Sequence, residues 1–179
     1  MKKDAGRIQV TGSFLMKMVM LTVTLSLFII PVKINAQSGK INFSGTWAFN
    51  ETKSNLGEGR GFRNATQMTV LQDGNNLTVD RVRTNQDGEV TTTTEKYTLD
   101  GKESLNTSAR GPSKAIVTWS ADGNSLGFAI TRTYTRDGES IEMKSSEVWA
   151  CTDPKTLSVS STVTIQDGER KATIVYDKK

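Results

Sequence analysis

The feature that most constrains this chain is a regular series of Asp-Gly pairs. Six pairs and one Asp-Pro pair stand 13 to 22 residues apart, at Asp73, Asp87, Asp100, Asp122, Asp137, Asp153 and Asp167. Asp-Gly suits tight hairpin turns because glycine, and to a lesser extent aspartate, tolerates a positive φ. Each interval has room for one strand and its turn, and the interval of 22 has room for two. The series therefore predicts a succession of short antiparallel strands.

The segments between these turns are rich in β-branched residues and alternate in polarity. Residues 126–130 (LGFAI) and 157–160 (LSVS) are examples, and such alternation is typical of half-buried strands. Ten strands are predicted, at 42–50, 67–72, 77–85, 89–99, 103–106, 113–119, 125–135, 140–150, 157–165 and 170–177. A meander of eight to ten strands closes into a barrel or leaves two long edges, and closure is favoured. The rival fold is a two-sheet sandwich.

The N-terminal segment has the pattern of a secretory signal. A basic region precedes the apolar run Val19–Val32, which is shorter than a spanning helix needs, and Ala36 is followed by the expected cleavage point. Residues 1–36 are predicted to be the signal, with 1–15 an over-extended start, and 37–179 to be a single exported domain, periplasmic or extracellular. An uncleaved anchor is the alternative.

Charge and composition argue against several classes of function. The chain carries a formal +4, but removing 1–36 leaves 23 − 5 = 18 basic and 19 − 1 = 18 acidic residues. A neutral domain gives no general support to nucleic-acid binding. The absence of His and the single Cys exclude His-based catalysis and the usual zinc sites. No metal, cofactor or enzymatic activity is predicted. A hydrolase or isomerase is the third alternative, and a hydrolase would need a Ser-Lys pair or a carboxylate pair, for which Glu95 and Glu147 are candidates.

One connection is longer and more polar than the others. Residues 51–66 (ETKSNLGEGRGFRNAT) contain several glycines, but they lack the Gly-Lys-Ser/Thr of a phosphate loop. We expect a loop over the mouth of a barrel.

The first strand carries a family resemblance. Ser44-Gly45-Thr46-Trp47, followed by Asn50 and Lys53-Ser54, places a Gly-x-Trp at the start of a small meander. With Glu147-x-Trp149 and Val175-Tyr176, this pattern resembles the small secreted bacterial lipocalin-like proteins of the calycin superfamily. The resemblance implies an up-and-down lipocalin-like barrel of eight to ten strands, with the tryptophan at the closed end and a loop over the open end.

Strand parity sorts the side chains of each predicted strand into two faces. The predicted inward faces carry aromatic side chains in one part and arginines towards one end, where a bidentate arginine pair would suit a carboxylate. The candidate ligand-binding residues are Trp47, Phe49, Arg81, Arg83, Trp119, Phe128, Arg132, Tyr134 and Trp149. The competing interpretation makes the three tryptophans core plugs, leaves the arginines solvated at a rim and pairs Glu147 with an arginine.

The sequence therefore predicts a non-catalytic exported barrel that binds a small hydrophobic or amphipathic molecule. An amphipathic acid is the sharpest ligand hypothesis. The alternative function is a closed barrel that serves as a structural or protein-interaction module of the cell envelope. No membrane span is expected once the signal is removed, and the oligomeric state stays open.

Overall fold

The computed structural model describes residues 39–57, 64–85, 87–108, 111–136, 138–165 and 168–179. The predicted signal sequence lies outside this part and stays a prediction. Ten strands make up the fold: β1 Gly45–Asn55, β2 Gln67–Asp73, β3 Asn76–Thr84, β4 Val90–Thr98, β5 Glu103–Ser108, β6 Gly111–Trp119, β7 Ser125–Arg136, β8 Glu139–Asp153, β9 Thr156–Ile165 and β10 Gly168–Lys178. The described residues contain no helix that would cross a membrane.

The predicted strands are confirmed, and their ends agree to within three residues except at the end of β1. The turn chemistry explains the agreement. Asp73 pairs with Asn76 across a turn in which Gly74 has a φ of 55°, a conformation that glycine adopts without strain. The Asp73-Gly74 pair therefore fixes where β2 turns back into β3.

The ten strands form one antiparallel sheet that curls into a nearly closed barrel. The order is β4-β3-β2-β1-β10-β9-β8-β7-β6-β5, so β1 pairs with β2 on one side and with β10 on the other. The pairing of Trp47 with Lys178 joins the first strand to the last. The predicted meander barrel is confirmed, and a two-sheet sandwich is not formed.

Closure is incomplete between β4 and β5, which are the two ends of the sheet. The chain between them bonds elsewhere, because Leu99 N–H donates to Asn75 and Gly101 N–H donates to Val117. Side chains bridge the two strands instead of a backbone ladder. The Asn106 amide accepts from Lys96 N–H at 2.7 Å and donates to Lys96 C=O at 3.0 Å, and Ser104 Oγ accepts from Thr98 N–H at 2.9 Å.

The prediction of a loop from residue 51 is wrong for its first part, because β1 continues to Asn55. The register on β10 shifts between Asn50 and Asn55, which marks a β-bulge. Side chains satisfy the bulged backbone: Asn50 Oδ1 accepts from Lys53 N–H at 3.0 Å, and Ser54 Oγ accepts from Val175 N–H at 2.9 Å. The remainder of the predicted loop includes 58–63, which lie outside the described residues.

Apolar side chains fill one half of the barrel interior, which we call the closed half. It lies at the end that carries the β2–β3, β6–β7 and β8–β9 turns, and the segment before β1 crosses it, with Ile41 N–H donating to Gly123 C=O. Its inward residues are almost fully buried: Phe43, Trp47, Leu77, Leu99, Leu126, Trp149 and Leu157. Burial of this much apolar surface is the main stabilisation of the fold.

Candidate ligand-binding site

The inward faces predicted from parity are the ones that the structure shows. On β3, Leu77, Val79 and Arg81 are buried, and on β7 and β8 Phe128 and Trp149 are buried while Val148 is 47% exposed. The register explains why these positions agree. Leu126 pairs with Trp149 and Phe128 with Glu147, so the same face of both strands points inward.

Burial changes along each strand, which divides the interior into two halves. Towards the ends of β7 and β8 that meet in their hairpin, the inward side chains are only half-buried. These residues are Ile130, Arg132 and Tyr134 on β7 and Ile141, Met143 and Ser145 on β8, and they are called the open half together with Phe49 on β1 and Arg83 on β3. These inward-facing side chains therefore keep contact with solvent, unlike those of the closed half.

A buried ion network lies between the two halves, and Arg81 is its centre. Arg81 Nε donates to Glu95 Oε2 at 2.9 Å and Arg81 Nη2 donates to Glu147 Oε2 at 2.9 Å. The third nitrogen, Nη1, contacts the Met68 sulfur at 3.5 Å, and the guanidinium lies 5.4 Å from the Trp149 ring centroid. Because Arg81 and Glu147 belong to strands on opposite sides of the barrel, this pair crosses the interior. Every nitrogen of Arg81 therefore has a partner within the protein.

Glu147 and Glu95 extend the network to other strands. The same Glu147 Oε2 accepts from Trp149 Nε1 at 2.8 Å. Glu95 Oε1 lies 3.6 Å from Arg132 Nη2, and Arg132 Nη1 donates to Ser108 Oγ at 3.0 Å. Among the described residues, no buried side-chain nitrogen or oxygen lacks a hydrogen-bond partner. The network is thus satisfied without a ligand, as buried polar groups require.

Arg132 differs from Arg81 in two respects. Its side chain is 17% exposed, against 7% for Arg81, and it makes one hydrogen bond and one ion pair of 3.6 Å. A guanidinium carries five N–H donors. Arg132 is therefore the more exposed of the two guanidinium groups, whereas Arg81 is enclosed.

The charges of the network are held by mutual attraction. Burial alone would lower the pKa of Arg81, but Glu147 and Glu95 outweigh it and hold that pKa well above its ordinary value. Burial would raise the pKa of Glu95, but the charge of Arg81 and the hydrogen bonds from Tyr97 and Arg81 together outweigh it and keep that pKa below its ordinary value. Both groups are charged at neutral pH.

Two phenols beside the network stay neutral. Burial raises the pKa of Tyr176 to about 12, and burial together with the Glu95 carboxylate raises the pKa of Tyr97 further. Arg83 is close enough to act on both Glu95 and Tyr176, since its charge lowers both pKa values. The interior charge is therefore set by arginines and carboxylates.

The structure separates the predicted site residues into two groups. The tryptophans and Phe128 belong to the closed half: Trp149 stacks on Phe128 at 4.9 Å between ring centroids, Trp119 lies 6.1 Å from Phe43, and Trp47 Nε1 donates to Phe43 C=O at 2.9 Å. These contacts are those of a packed aromatic core.

The second group faces the open half. Arg83, Arg132, Tyr134 and Phe49 are half-buried there, and Phe49 packs edge-on against Tyr176 at 6.1 Å. Arg81 lies between the groups. The four open-half residues are therefore the predicted site residues that keep contact with solvent, together with Trp119 in the closed half.

Sequence reasoning missed several residues of this site. Ser108, Ile130 and Met143 were not proposed as ligand-binding residues, although Ile130 and Met143 share the inward parity of Arg132 and Glu147. Tyr97 was also missed, and its parity with Glu95 was the available signal. Glu95 and Glu147 were identified only as carboxylates within strands, and the pairing of Glu147 with an arginine is confirmed.

Two buried carboxylates in one interior invite comparison with a glycosidase pair, which needs one protonated carboxyl group and one ionised carboxylate. Here Arg81 binds both carboxylates, and the pKa of Glu95 is below its ordinary value. Glu95 is therefore an unsuitable proton donor. The described residues also contain no group of three acidic or cysteine side chains that would hold a metal ion.

Comparisons with known proteins agree with this architecture. No protein-family model matches the chain, and no curated protein matches its sequence. The structure is similar to the zebrafish ileal bile acid-binding protein in its crystal structure with cholic acid, at a TM-score of 0.50 and 19% identity over 76% of this chain and 98% of that one. At this identity the likeness concerns the fold. The chain folds as a nearly closed antiparallel β-barrel similar to the fold of that protein.

Proposed function

We propose that this protein binds a small amphipathic molecule with an acidic group in the open half of its barrel. The acidic group binds Arg132 and Arg83, and the apolar body packs against Phe49, Ile130 and Met143. The neighbour crystallised with cholic acid, an amphipathic acid, is consistent with this use of the fold. Binding, rather than catalysis, is the proposed role.

The observation that carries the proposal is the unequal burial of the inward faces. In the closed half Phe128 and Trp149 are 2% and 0% exposed, whereas Ile130 and Met143 on the same faces are half-buried. Inward-facing apolar side chains that keep contact with solvent offer a ligand an apolar surface at this end of the barrel. Apolar side chains with a few convergent polar or charged groups are also typical of small-molecule sites.

The arginines favour an acidic ligand over a neutral one. Arg132 has donors beyond its bonds to Ser108 and Glu95, and a guanidinium matches a carboxylate in bidentate geometry. Arg81 is assigned a different role from the one predicted from the sequence, because its nitrogens already hold two carboxylates and a thioether. It supports the floor of the site and does not bind the ligand directly.

The signal pattern of residues 1–36 places this binding outside the cytoplasm in our proposal. An exported barrel of this kind would hold a sparingly soluble acid in the periplasm or outside the cell. Sequencing the N-terminus of the protein recovered from its own cell envelope tests this directly. A mature chain that begins at Gln37 would support export, and a cytoplasmic chain that retains 1–36 would contradict it.

The binding test uses dodecanoate and dodecanol, which share an apolar chain and differ in charge. Titration calorimetry at pH 8 should give tighter binding of dodecanoate. Arg132→Ala and Arg83→Ala should each weaken dodecanoate by about tenfold or more, the loss of a charge-assisted bond, and leave dodecanol nearly unchanged. Native mass spectrometry of the protein from its own cell envelope provides an independent search for a bound acid.

The matched control is Lys144→Ala. Lys144 is on β8 with an outward-facing side chain that is 70% exposed, so removing its charge should leave both affinities unchanged. If the wild-type protein binds neither compound and carries no co-purified ligand, the proposal fails. If Lys144→Ala weakens dodecanoate as much as Arg132→Ala does, the effect is one of net charge, and the assignment of Arg132 is wrong.

A further inference from the structure

We infer that the ligand carries an uncharged hydroxyl group in addition to its acidic group, and that Glu147 and Ser161 bind this hydroxyl at the floor of the open half. The inference rests on the proposed function and specifies its ligand class. Glu147 and Ser161 are thus specificity-determining residues, distinct from the arginines that bind the acidic group.

Glu147 uses only one of its two carboxylate oxygens within the described part of the chain. Oε2 accepts from Arg81 Nη2 at 2.9 Å and from Trp149 Nε1 at 2.8 Å. Oε1 makes no hydrogen bond with any described residue, and the side chain is 17% exposed. A carboxylate oxygen is an acceptor only, so Oε1 is suited to a group that donates.

Ser161 lies beside Glu147 and has an unused hydroxyl. The two residues pair across the β8–β9 ladder, so their side chains share the inward face and their Cβ atoms are about 5 Å apart. Ser161 is 6% exposed, and its hydroxyl makes no hydrogen bond with the described residues. A serine hydroxyl can donate as well as accept, so the pair presents one acceptor next to one donor.

Both oxygens keep contact with solvent. Among the described residues, no fully buried side-chain nitrogen or oxygen lacks a hydrogen-bond partner. Since Glu147 Oε1 and the Ser161 hydroxyl have no partner there, neither atom is fully buried. The inward parity of both positions directs this contact into the barrel, where the half-buried Ser145 borders the pair on the side of the open half.

An alcohol matches this pair of groups best. Its hydroxyl donates to Glu147 Oε1 and accepts from Ser161 at the same time. An ether oxygen only accepts, so an ether in this place would exclude water from Oε1 without giving it a donor. An ammonium group also donates, but the Arg81 guanidinium, 2.9 Å from the same carboxylate, repels a second cation.

The experiment compares dodecanol with its methyl ether, which share an apolar chain and carry no charge. Titration calorimetry at pH 8 gives the ratio of the two dissociation constants, ether over alcohol. This ratio should be about ten in the wild type, because the ether leaves a carboxylate oxygen unsatisfied. It should fall by about fivefold in Ser161→Ala, the loss of one hydrogen bond. Ser161→Ala breaks no hydrogen bond among the described residues, so the fold should be retained.

A second variant exchanges the acceptor for a donor. In Glu147→Gln the amide oxygen can still accept from Arg81 and Trp149, which places the amide NH₂ where Oε1 was, so the ratio should fall below that of Ser161→Ala. Ser161→Ala decides the test by itself if Glu147→Gln disturbs folding. The matched control is Ser160→Ala, the neighbouring position on β9, whose side chain faces outward and is exposed, and it should leave the ratio unchanged.

The outcomes are distinguishable. A preference for the alcohol that is reduced in Ser161→Ala, but not in Ser160→Ala, supports the inference. If dodecanoate binds and the wild type does not prefer dodecanol to its ether, or if the preference is unchanged in Ser161→Ala, the inference is overturned and the proposed function stands. If the wild-type protein binds none of the three compounds, the proposed function fails and this inference fails with it.

Discussion

The replacement of Arg81 by methionine tests the ion network most directly. Methionine has a similar length and keeps the apolar contact with Met68, but it leaves Glu95 and Glu147 without their shared cation. The three side chains are 7%, 10% and 17% exposed, so neither carboxylate can recover full hydration. Breaking a buried ion pair by removing one partner costs about 3–5 kcal/mol. We expect Arg81→Met to lower the free energy of unfolding at pH 7 by that amount.

The size of this loss should depend on pH in a defined direction. In the wild type the pKa of Glu95 is below its ordinary value of 4.5, so its stabilising contribution is present above that pH and is lost as the pH falls. In Arg81→Met, burial without the arginine should raise the pKa of Glu95 instead. The free energy of unfolding of the variant should therefore fall as the pH rises. The difference between the two proteins should therefore be largest near pH 7, begin to shrink as the pH falls through the raised pKa of Glu95 in the variant, and continue to shrink down to the lowered pKa of Glu95 in the wild type.

Urea denaturation at pH 7 and at pH 4 measures both effects. Lys144→Met breaks an exposed ion pair of 3.5 Å on β8 and should cost less than about 0.5 kcal/mol at either pH. The triple variant Arg81→Met, Glu95→Gln, Glu147→Gln removes the unpaired charges and should be more stable than Arg81→Met alone. A loss of less than about 1 kcal/mol at pH 7, or a loss that does not shrink on acidification, would refute this account of the network.

Two further predictions concern the backbone. Asn106→Ala removes both amide contacts with Lys96 across the β4–β5 gap, so it should cost about 1 kcal/mol and speed hydrogen exchange at the Lys96 amide; unchanged exchange would show that the bridge does not protect this edge. Gly111 has a φ of 101°, and a Cβ there would collide with the Thr133 carbonyl oxygen, so Gly111→Ala should cost about 1–3 kcal/mol in urea denaturation. Full stability in Gly111→Ala would mean that this close approach is not maintained in solution.

The strands and their inward faces could be predicted from the sequence because both depend on local chemistry. Turn residues such as Asp73-Gly74 mark the ends of strands, and the period of two assigns the side chains to faces. The end of β1 could not be predicted, because its bulge is made by contacts with β10. Ser54 bonds to Val175, which is 121 residues further along the chain.

Part of the site was predictable because the parity of side chains along a strand is also a local property of the sequence. Parity placed Arg81, Arg132 and Glu147 inside, and opposite charges on inward faces indicate that some of them pair. Which charges pair depends on how the barrel closes, since Arg81 reaches Glu147 across the interior from β3 to β8. Parity also could not separate packed aromatics from accessible ones. Whether an inward aromatic side chain is packed or accessible depends on its position along the strand, because the segment around Phe43 covers the closed half.

The pairing of β1 with β10 has a consequence for folding kinetics. Most ladders join strands that are neighbours in sequence, such as β7 and β8. Hairpins of this kind can form early in folding. The ladder that joins Trp47 to Lys178 closes a loop of nearly the whole domain. The entropy lost on closing that loop is offset only by contacts that form late in folding. Until β10 docks, β1 and β9 are both open edges that can pair with other chains. The last strand therefore decides how long a folding chain is exposed to aggregation.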